Sequence, residues 1–342
     1  MSTKIRVLSY IVKRLIIYLL TMFLAFTVVF FVLHLIPGDP ITLYYSRMQE
    51  EYGSSYNQGP DPLVIANYMK KLGLDKDIFT QYINYITNVI FHFDLGPSML
   101  AYPRPAQDLI ADRIVWSVGL LSISIIISWI IGVVTGTLVG WKRGTKLDSV
   151  IFTTSLVMSQ IPNYLVGIFL VLFIGYGLRL LPTQGAYDAG LVKGLNMPFI
   201  LSLLSHAFLP AMSFILISTF GRILLARSVT VSILGEDYLL LAQAKGLKKI
   251  RILNRYVLRN SLLPNVTSLA MSLGFAVNGF YLIEWIYRYP GIGSLLQLAI
   301  AQLDFNVIQG IILVSITTVL TANLIMDILY PFIDPRIKIG NE

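Results

Sequence analysis

The sequence predicts an all-α membrane protein with six transmembrane helices, both termini in the cytoplasm, and a helical external subdomain between the first and second helices. Three observations predict it. Of 342 residues, 56% are hydrophobic and only 13% charged, whereas a soluble chain carries about 25% charged residues. Six uncharged runs, 15–36, 114–141, 150–178, 194–221, 260–283 and 305–326, each reach the roughly 20 residues that cross roughly 30 Å of hydrocarbon. Walking the chain through six crossings puts 17 of the 26 basic residues on the side of both termini and 12 of the 18 acidic residues on the other. Lysine and arginine mark the cytoplasmic side.

Each run is helical because lipid offers the backbone no partner outside its own segment. Membrane barrels are excluded, since they use alternating segments of about 10 residues and a stretch such as 120–134 runs unbroken without a charge or a turn signal. The first run follows Lys13 and Arg14 but is too long for the apolar part of a secretory signal. It ends in Pro37-Gly38-Asp39-Pro40 rather than a small-x-small cleavage site, so it reads as an uncleaved first span.

Residues 37–113 are too many for a simple connection. Stretches 65–72 and 78–91 have apolar residues at helical spacing, separated by Leu72-Gly73-Leu74-Asp75. The acidic residues Glu50, Glu51, Asp61, Asp75, Asp77 and Asp94, with the tyrosines among them, suit either an extended loop on the headgroups or a docking surface for an extracytoplasmic partner. In the second run Gly132, Gly136 and Gly140, spaced four apart, form a close-packing face. Pro162, Pro198, Pro210 and Pro264 are expected to interrupt or bend spans. Both features also suit ordinary helix packing. The outer turn Tyr289-Pro290-Gly291-Ile292-Gly293 has the residues of a re-entrant bend.

The loop between the fourth and fifth runs is the most informative. It reads Gly235-Glu236-Asp237-Tyr238-Leu239-Leu240-Leu241-Ala242-Gln243-Ala244-Lys245-Gly246-Leu247. Glu236 and Asp237 stand at a helix start, where the macrodipole favours negative charge. Gly246 stands where a left-handed cap ends a helix. Small side chains at Ala242 and Ala244 let another surface come close. The run that follows is expected to place Lys248, Arg251, Arg255 and Arg259 on one helix face and Ile250, Leu253, Val257 and Ser261 on another.

Several classes of chemistry are excluded. With no cysteine there are no disulfides, thiolate metal sites or cysteine nucleophiles. The three histidines, His34, His92 and His206, are scattered and form no H-E-x-x-H pair, which leaves an intramembrane enzyme without a nucleophile or metal cluster. Ion-coupled secondary transport usually places ionisable groups at mid-membrane. The runs hold only His34 and His206, each expected as a hydrogen-bonded packing residue. The formal net charge of +8 follows topology and contact with anionic lipid rather than nucleic-acid binding.

Taken in order, further short sequences complete a pattern: Phe93-Asp94-Leu95-Gly96, Ser159-Gln160-Ile161-Pro162, Leu180-Leu181-Pro182-Thr183-Gln184-Gly185, Arg259-Asn260-Ser261, Asp327-Ile328-Leu329-Tyr330 and Asp334-Pro335-Arg336. Together with those above, they make the chain resemble, nearly end to end, the permease subunits of ATP-binding cassette importers of the dipeptide/oligopeptide/nickel family. The resemblance implies three parts: an N-terminal segment with the first span (1–36), the external subdomain (37–113) and a permease core (114–342). It makes the helix at about 235–247 the coupling helix, with Glu236, Asp237, Tyr238, Leu241, Ala242, Ala244, Lys245, Gly246 and Leu247 meeting an ATPase. Where the broader family often has Glu-Ala-Ala, this chain has Leu240-Leu241-Ala242, so the nearest acids are Glu236 and Asp237.

The implied partners are a second, similar permease, two ATPase subunits and an extracytoplasmic solute-binding protein. No G-x-x-x-x-G-K-[ST] sequence occurs, the stretch from Gly140 to Lys146 being nearest with the wrong spacing. ATP hydrolysis is therefore expected in a separate subunit, and no catalytic residue, cofactor or metal in this one. Di- or oligopeptides are the expected cargo, with oligosaccharides or nickel as alternatives and ion-coupled transport as the rival class.

Overall fold

A helix that faces lipid leaves most of its side chains uncovered by its own chain, and α1 (Thr3–His34) does so. Leu15, Ile16, Leu20, Val28 and Val32 are exposed, while Phe26, Phe30 and Leu33 form a narrow buried stripe. The computed structural model describes residues 3–35, 75–274, 276 and 280–333, and every element among them is helical. The predicted helix at 65–72 and the tail sequence from Asp334 lie outside the described residues. Cα proximity divides the chain into two compact units, Met1–Val115 with Gly291–Glu342, and Trp116–Pro290.

In the first unit, α1 runs along the C-terminal helix (Phe305–Ile333) through Arg14 Nη1 to Asp327 Oδ2 at 3.1 Å, Tyr10 OH donating to the Asp327 carbonyl at 3.2 Å, and the hydroxyls of Tyr18 and Thr321 at 3.0 Å. Helix α2 (Ile78–Thr87) is capped by Asp77, whose side chain accepts from Thr80 N. The Thr80 hydroxyl donates to the same carboxylate at 2.6 Å, and these bonds hold Asp77 below the usual carboxylate range. The helix continues through a π turn, Asn88–His92, as the apolar spacing over 78–91 predicts. Tyr82 of α2 packs its ring on Phe30 and places its hydroxyl 2.7 Å from that of Thr27. His34 lies against Phe30 and bonds its carbonyl at 2.8 Å.

Helix α3 (Ala106–Trp141) begins eight residues before the uncharged run, so 106–113 form its first turns. Asp304 is fully buried; it accepts from Val307 N at the head of the last helix at 3.2 Å, from Ser98 Oγ at 2.6 Å and from Leu100 N at 2.9 Å. One carboxylate thus caps a helix and pins the 97–100 loop.

In the second unit, the third run is not one continuous helix. It divides into α4 (Lys146–Met158) and α5 (Asn163–Leu170), the latter extended by a π turn, Val171–Gly177, with an 88° bend between them. Pro162 has no N–H and holds extended backbone (φ −61, ψ 133), so the helix stops and restarts there. Helix α6 (Met197–Ile233) has 37 residues, roughly 55 Å at 1.5 Å per residue. That exceeds the roughly 30 Å hydrocarbon core, so the helix projects beyond the lipid. Pro198, expected to bend this span, sits instead in its first turn, which Asn196 caps.

The loop after α6 supplies α7 (Asp237–Ala244) and α8 (Lys249–Ile252), the latter leading through a π turn, Leu253–Leu258, into α9 (Arg259–Gly274). Then come α10 (Tyr281–Ile286), α11 (Ile292–Ala301) and α12 (Phe305–Ile333). Among the described residues four helices are long and apolar enough to cross a membrane, and the bent pair makes up to five. α9 follows the π turn Leu253–Leu258 without a break and is described as far as Gly274.

The glycine stripe of α3 packs on α6. A Cβ added at Gly132 would lie 2.5 Å from Arg222 Cβ, one at Gly136 2.5 Å from the Ile223 carbonyl, and one at Gly140 2.8 Å from Thr230 Cβ. Around Tyr287, its hydroxyl donates to the Gly167 carbonyl at 3.1 Å and lies 3.1 Å from Ser213 Oγ. The Tyr287 carbonyl accepts from Gly185 N at 2.9 Å, tying down the 180–185 turn, where Gly185 takes φ +82. Ser117 Oγ donates to Glu284 Oε1 at 2.6 Å, with both residues fully buried. Burial, and after it the Glu284 charge, pushes Tyr289 up to about 12. His206 is buried and bonds the Ser202 carbonyl at 2.8 Å.

Replacing Gly136 by Leu should force α3 from α6 and cost about 1–3 kcal/mol or more, read as a lower thermal midpoint in detergent; an unchanged midpoint would show that this face carries no packing.

Candidate functional site

Helix α7 is held from one side. Leu239 and Ala242 are buried with Ile252, Leu253 and Val257, and Trp141, Ile233, Leu234, Leu247 and Tyr256 pack around them. The ends of α3 and α6 therefore meet the loop in one apolar cluster. Leu239 is 1% exposed. It was not among the residues expected at the site, because in a run of three leucines helical spacing alone does not say which points inward.

The start of α7 follows from extended backbone at Glu236 (φ −82, ψ 138), with Asp237 in the first turn where the helix dipole favours it. Its end is a Schellman cap. Gly246 N donates to the Gln243 carbonyl at 2.9 Å and Leu247 N to the Ala242 carbonyl at 3.3 Å. Gly246 takes φ +70, a region in which a side chain costs about 1–2 kcal/mol. A Cβ there would meet nothing within 4 Å, so the preference for glycine comes from backbone conformation.

Of the nine residues expected at the site, Glu236, Asp237, Tyr238, Leu241, Ala244, Lys245 and Gly246 are exposed, Leu247 is half-buried and Ala242 is buried. Tyr238 OH accepts from Asn260 Nδ2 at 3.1 Å, joining α7 to the start of α9. Leu240 at 63% and Leu241 at 56% exposed stand side by side, and Leu240 is a further member the sequence reading did not single out. Together they make a small apolar patch on a short helix outside the uncharged runs.

The following segment departs from expectation at one position. Ile250 is 62% exposed and Ile252 takes its place in the cluster with Leu253 and Val257. Ile250 stands in the first turn of α8, and the expected Leu253, Val257 and Ser261 are buried across the π turn over Leu253–Leu258. Lys248, Arg251, Arg255 and Arg259 are exposed, as the amphipathic reading requires. No group of His, Cys, Asp or Glu among the described residues could hold a metal ion. The arrangement is a helix anchored on one side, with an outward surface that carries two leucines and two acids.

Residues 130–339 match the family described as binding-protein-dependent transport system inner membrane component, and residues 7–129 match the N-terminal segment of such membrane components. The chain is 30% identical over 310 residues to the oligopeptide transport system permease protein AppB of Bacillus subtilis, covering 90% of this chain and 92% of that protein. It is 30% identical to the dipeptide transport system permease protein DppB of Lactococcus lactis subsp. cremoris, covering 97% and 99%. The same identity and coverage hold for the glutathione transport system permease protein GsiC of Shigella flexneri.

Leu239→Ala should cost about 2–5 kcal/mol and release α7 from its cluster, observed as faster proteolysis within 237–247 while the membrane-embedded fragments stay intact.

Proposed function

Since this chain belongs to the binding-protein-dependent transport system inner membrane components, we propose that it forms half of the translocation pathway of an ATP-driven peptide importer and that α7 couples it to the ATPase. It is a multi-pass permease subunit of the cytoplasmic membrane. Six spans with both termini in the cytoplasm are supported by the six uncharged runs and by the side on which the basic residues collect. The observation that carries the coupling role is the asymmetry of α7, anchored through Leu239 and Ala242 and presenting Tyr238, Leu240 and Leu241 outward.

In this reading the pathway is completed by a second, homologous permease, ATP is hydrolysed by two separate subunits, and a solute-binding protein delivers the cargo. Closure of the ATPases pushes α7, and the spans alternate between outward- and inward-open states. A docking role for the 37–113 region is supported by its length and acidic, tyrosine-rich composition. Peptides are favoured over oligosaccharides or nickel because the relatives are named for oligopeptide, dipeptide and glutathione transport. Glu236, Asp237, Ala244, Lys245 and Gly246 contribute the rest of the ATPase-facing surface.

The test is ATPase activity of the chain co-purified with its partners in lipid, with and without binding protein loaded with peptide or oligosaccharide. Stimulation by the peptide-loaded form is expected; solute movement by this chain alone on an ion gradient, indifferent to ATP, would overturn the proposal. Leu240→Asp with Leu241→Asp should release the ATPase on co-purification. A bulky charged residue at Gly246 should abolish stimulated uptake with membrane assembly retained, and unchanged transport in that variant would count against α7.

A further inference from the structure

Asp148 lies in the first turn of α4, where a carboxylate ordinarily faces water, yet it is 4% exposed. Its partners explain the burial. Arg227 of α6 donates through Nε to Oδ1 at 2.5 Å and through Nη2 to Oδ2 at 2.9 Å. Gly144 N donates to Oδ2 at 2.9 Å. The guanidinium also lies 4.3 Å over the Phe152 ring of α4. Two parallel bonds and a stacked face need the planar fork of arginine, which lysine cannot supply. A buried ion pair holds only when its geometry is this complete.

The pair joins three pieces of chain. Gly144, at φ +79, makes the turn between α3 and α4, and Thr145 caps α4 by accepting from Asp148 N. On the α3 side, a Cβ at Gly140 would lie 3.0 Å from the Arg227 carbonyl, so the end of α3 rests against α6 at the same residue. From Arg227, α6 continues without a break to Ile233, roughly 9 Å further. There Ile233 and Leu234 pack into the cluster that anchors Leu239 and Ala242 of α7. The other end of α4 is the 88° bend before α5.

We propose that the Asp148–Arg227 pair is the positioning element through which displacement of α7 reaches α4, so that α4 travels with the end of α6 and pivots at residues 159–162. This goes beyond the coupling role of α7 and rests on it. Without the pair, α7 moves α6 and leaves α4 behind, and the bend is not driven. Each residue acts by fixing one helix to another.

The experiment uses the whole complex in lipid, with trialanine-loaded binding protein as the stimulus. It reads basal ATPase, stimulated ATPase, peptides imported per ATP, and co-purification of all subunits. Asp148→Asn and Arg227→Lys are expected to lower stimulation and the import ratio at least tenfold, with co-purification and basal ATPase retained. The chain contains no cysteine, so in a complex with cysteine-free partners Asp148→Cys with Arg227→Cys offers two unique thiols. That double variant should be uncoupled as made and recover most of its stimulation once a short bis-maleimide bridges the thiols.

Wild-type stimulation in Asp148→Asn, or an assembled and bridged double variant that stays uncoupled, overturns the proposal. If Asp148→Asn fails to assemble, Arg227→Lys and the bridged chain decide it on the same criteria. A wild-type complex that shows no stimulation overturns the importer reading itself, and the inference with it, which separates the two failures.

Discussion

Everything in this chain depends on one constraint: in hydrocarbon, each backbone N–H and C=O must be satisfied within the protein. That requirement makes the uncharged runs helical and confines breaks to places where other groups stand in. At the bend between α4 and α5, Ser159, Gln160 and Ile161 donate back to the last carbonyls of α4, and Pro162 has no N–H to leave unpaired. The 180–185 turn returns to the Tyr287 carbonyl through Gly185. Irregular backbone is thus found where the chain itself supplies the partner.

Packing follows from the same scarcity of water. With no hydrophobic drive between helices inside lipid, close approach matters more, and the three glycines of α3 let its backbone rest on α6 with no room for a methyl group. Carboxylates are few and are used as fasteners. Asp304 caps α12 and holds the 97–100 loop, Glu284 receives the hydroxyl of Ser117, and Asp148 receives the guanidinium of Arg227. All three are nearly or fully buried, and each joins segments far apart in sequence, where an exposed ion pair would contribute less than about 1 kcal/mol.

Much of the candidate site was legible because caps are local. Glu236 and Asp237 announce a helix start and Gly246 its end, and the backbone at these residues is as local chemistry dictates. What was not legible is which face turns inward. Leu239, Leu240 and Leu241 are chemically alike, yet the first is buried and the other two are exposed, a difference set by the ends of α3 and α6 rather than by any property of leucine. Ile250 and Ile252 are likewise chemically alike, and only packing against the α7 cluster selects the second.

By itself, the sequence determined that this is a helical membrane protein and a transport permease, because apolar run length, charge asymmetry and ordered short motifs are one-dimensional properties written along the chain. Tertiary structure alone decided the 88° bend within the third run, the pairing of Asp148 with Arg227 across 79 positions, and the outward face of α7. Those depend on which surfaces are brought together, and a charge read from sequence as a cytoplasmic topology marker becomes a fastener only when its partner is packed beside it.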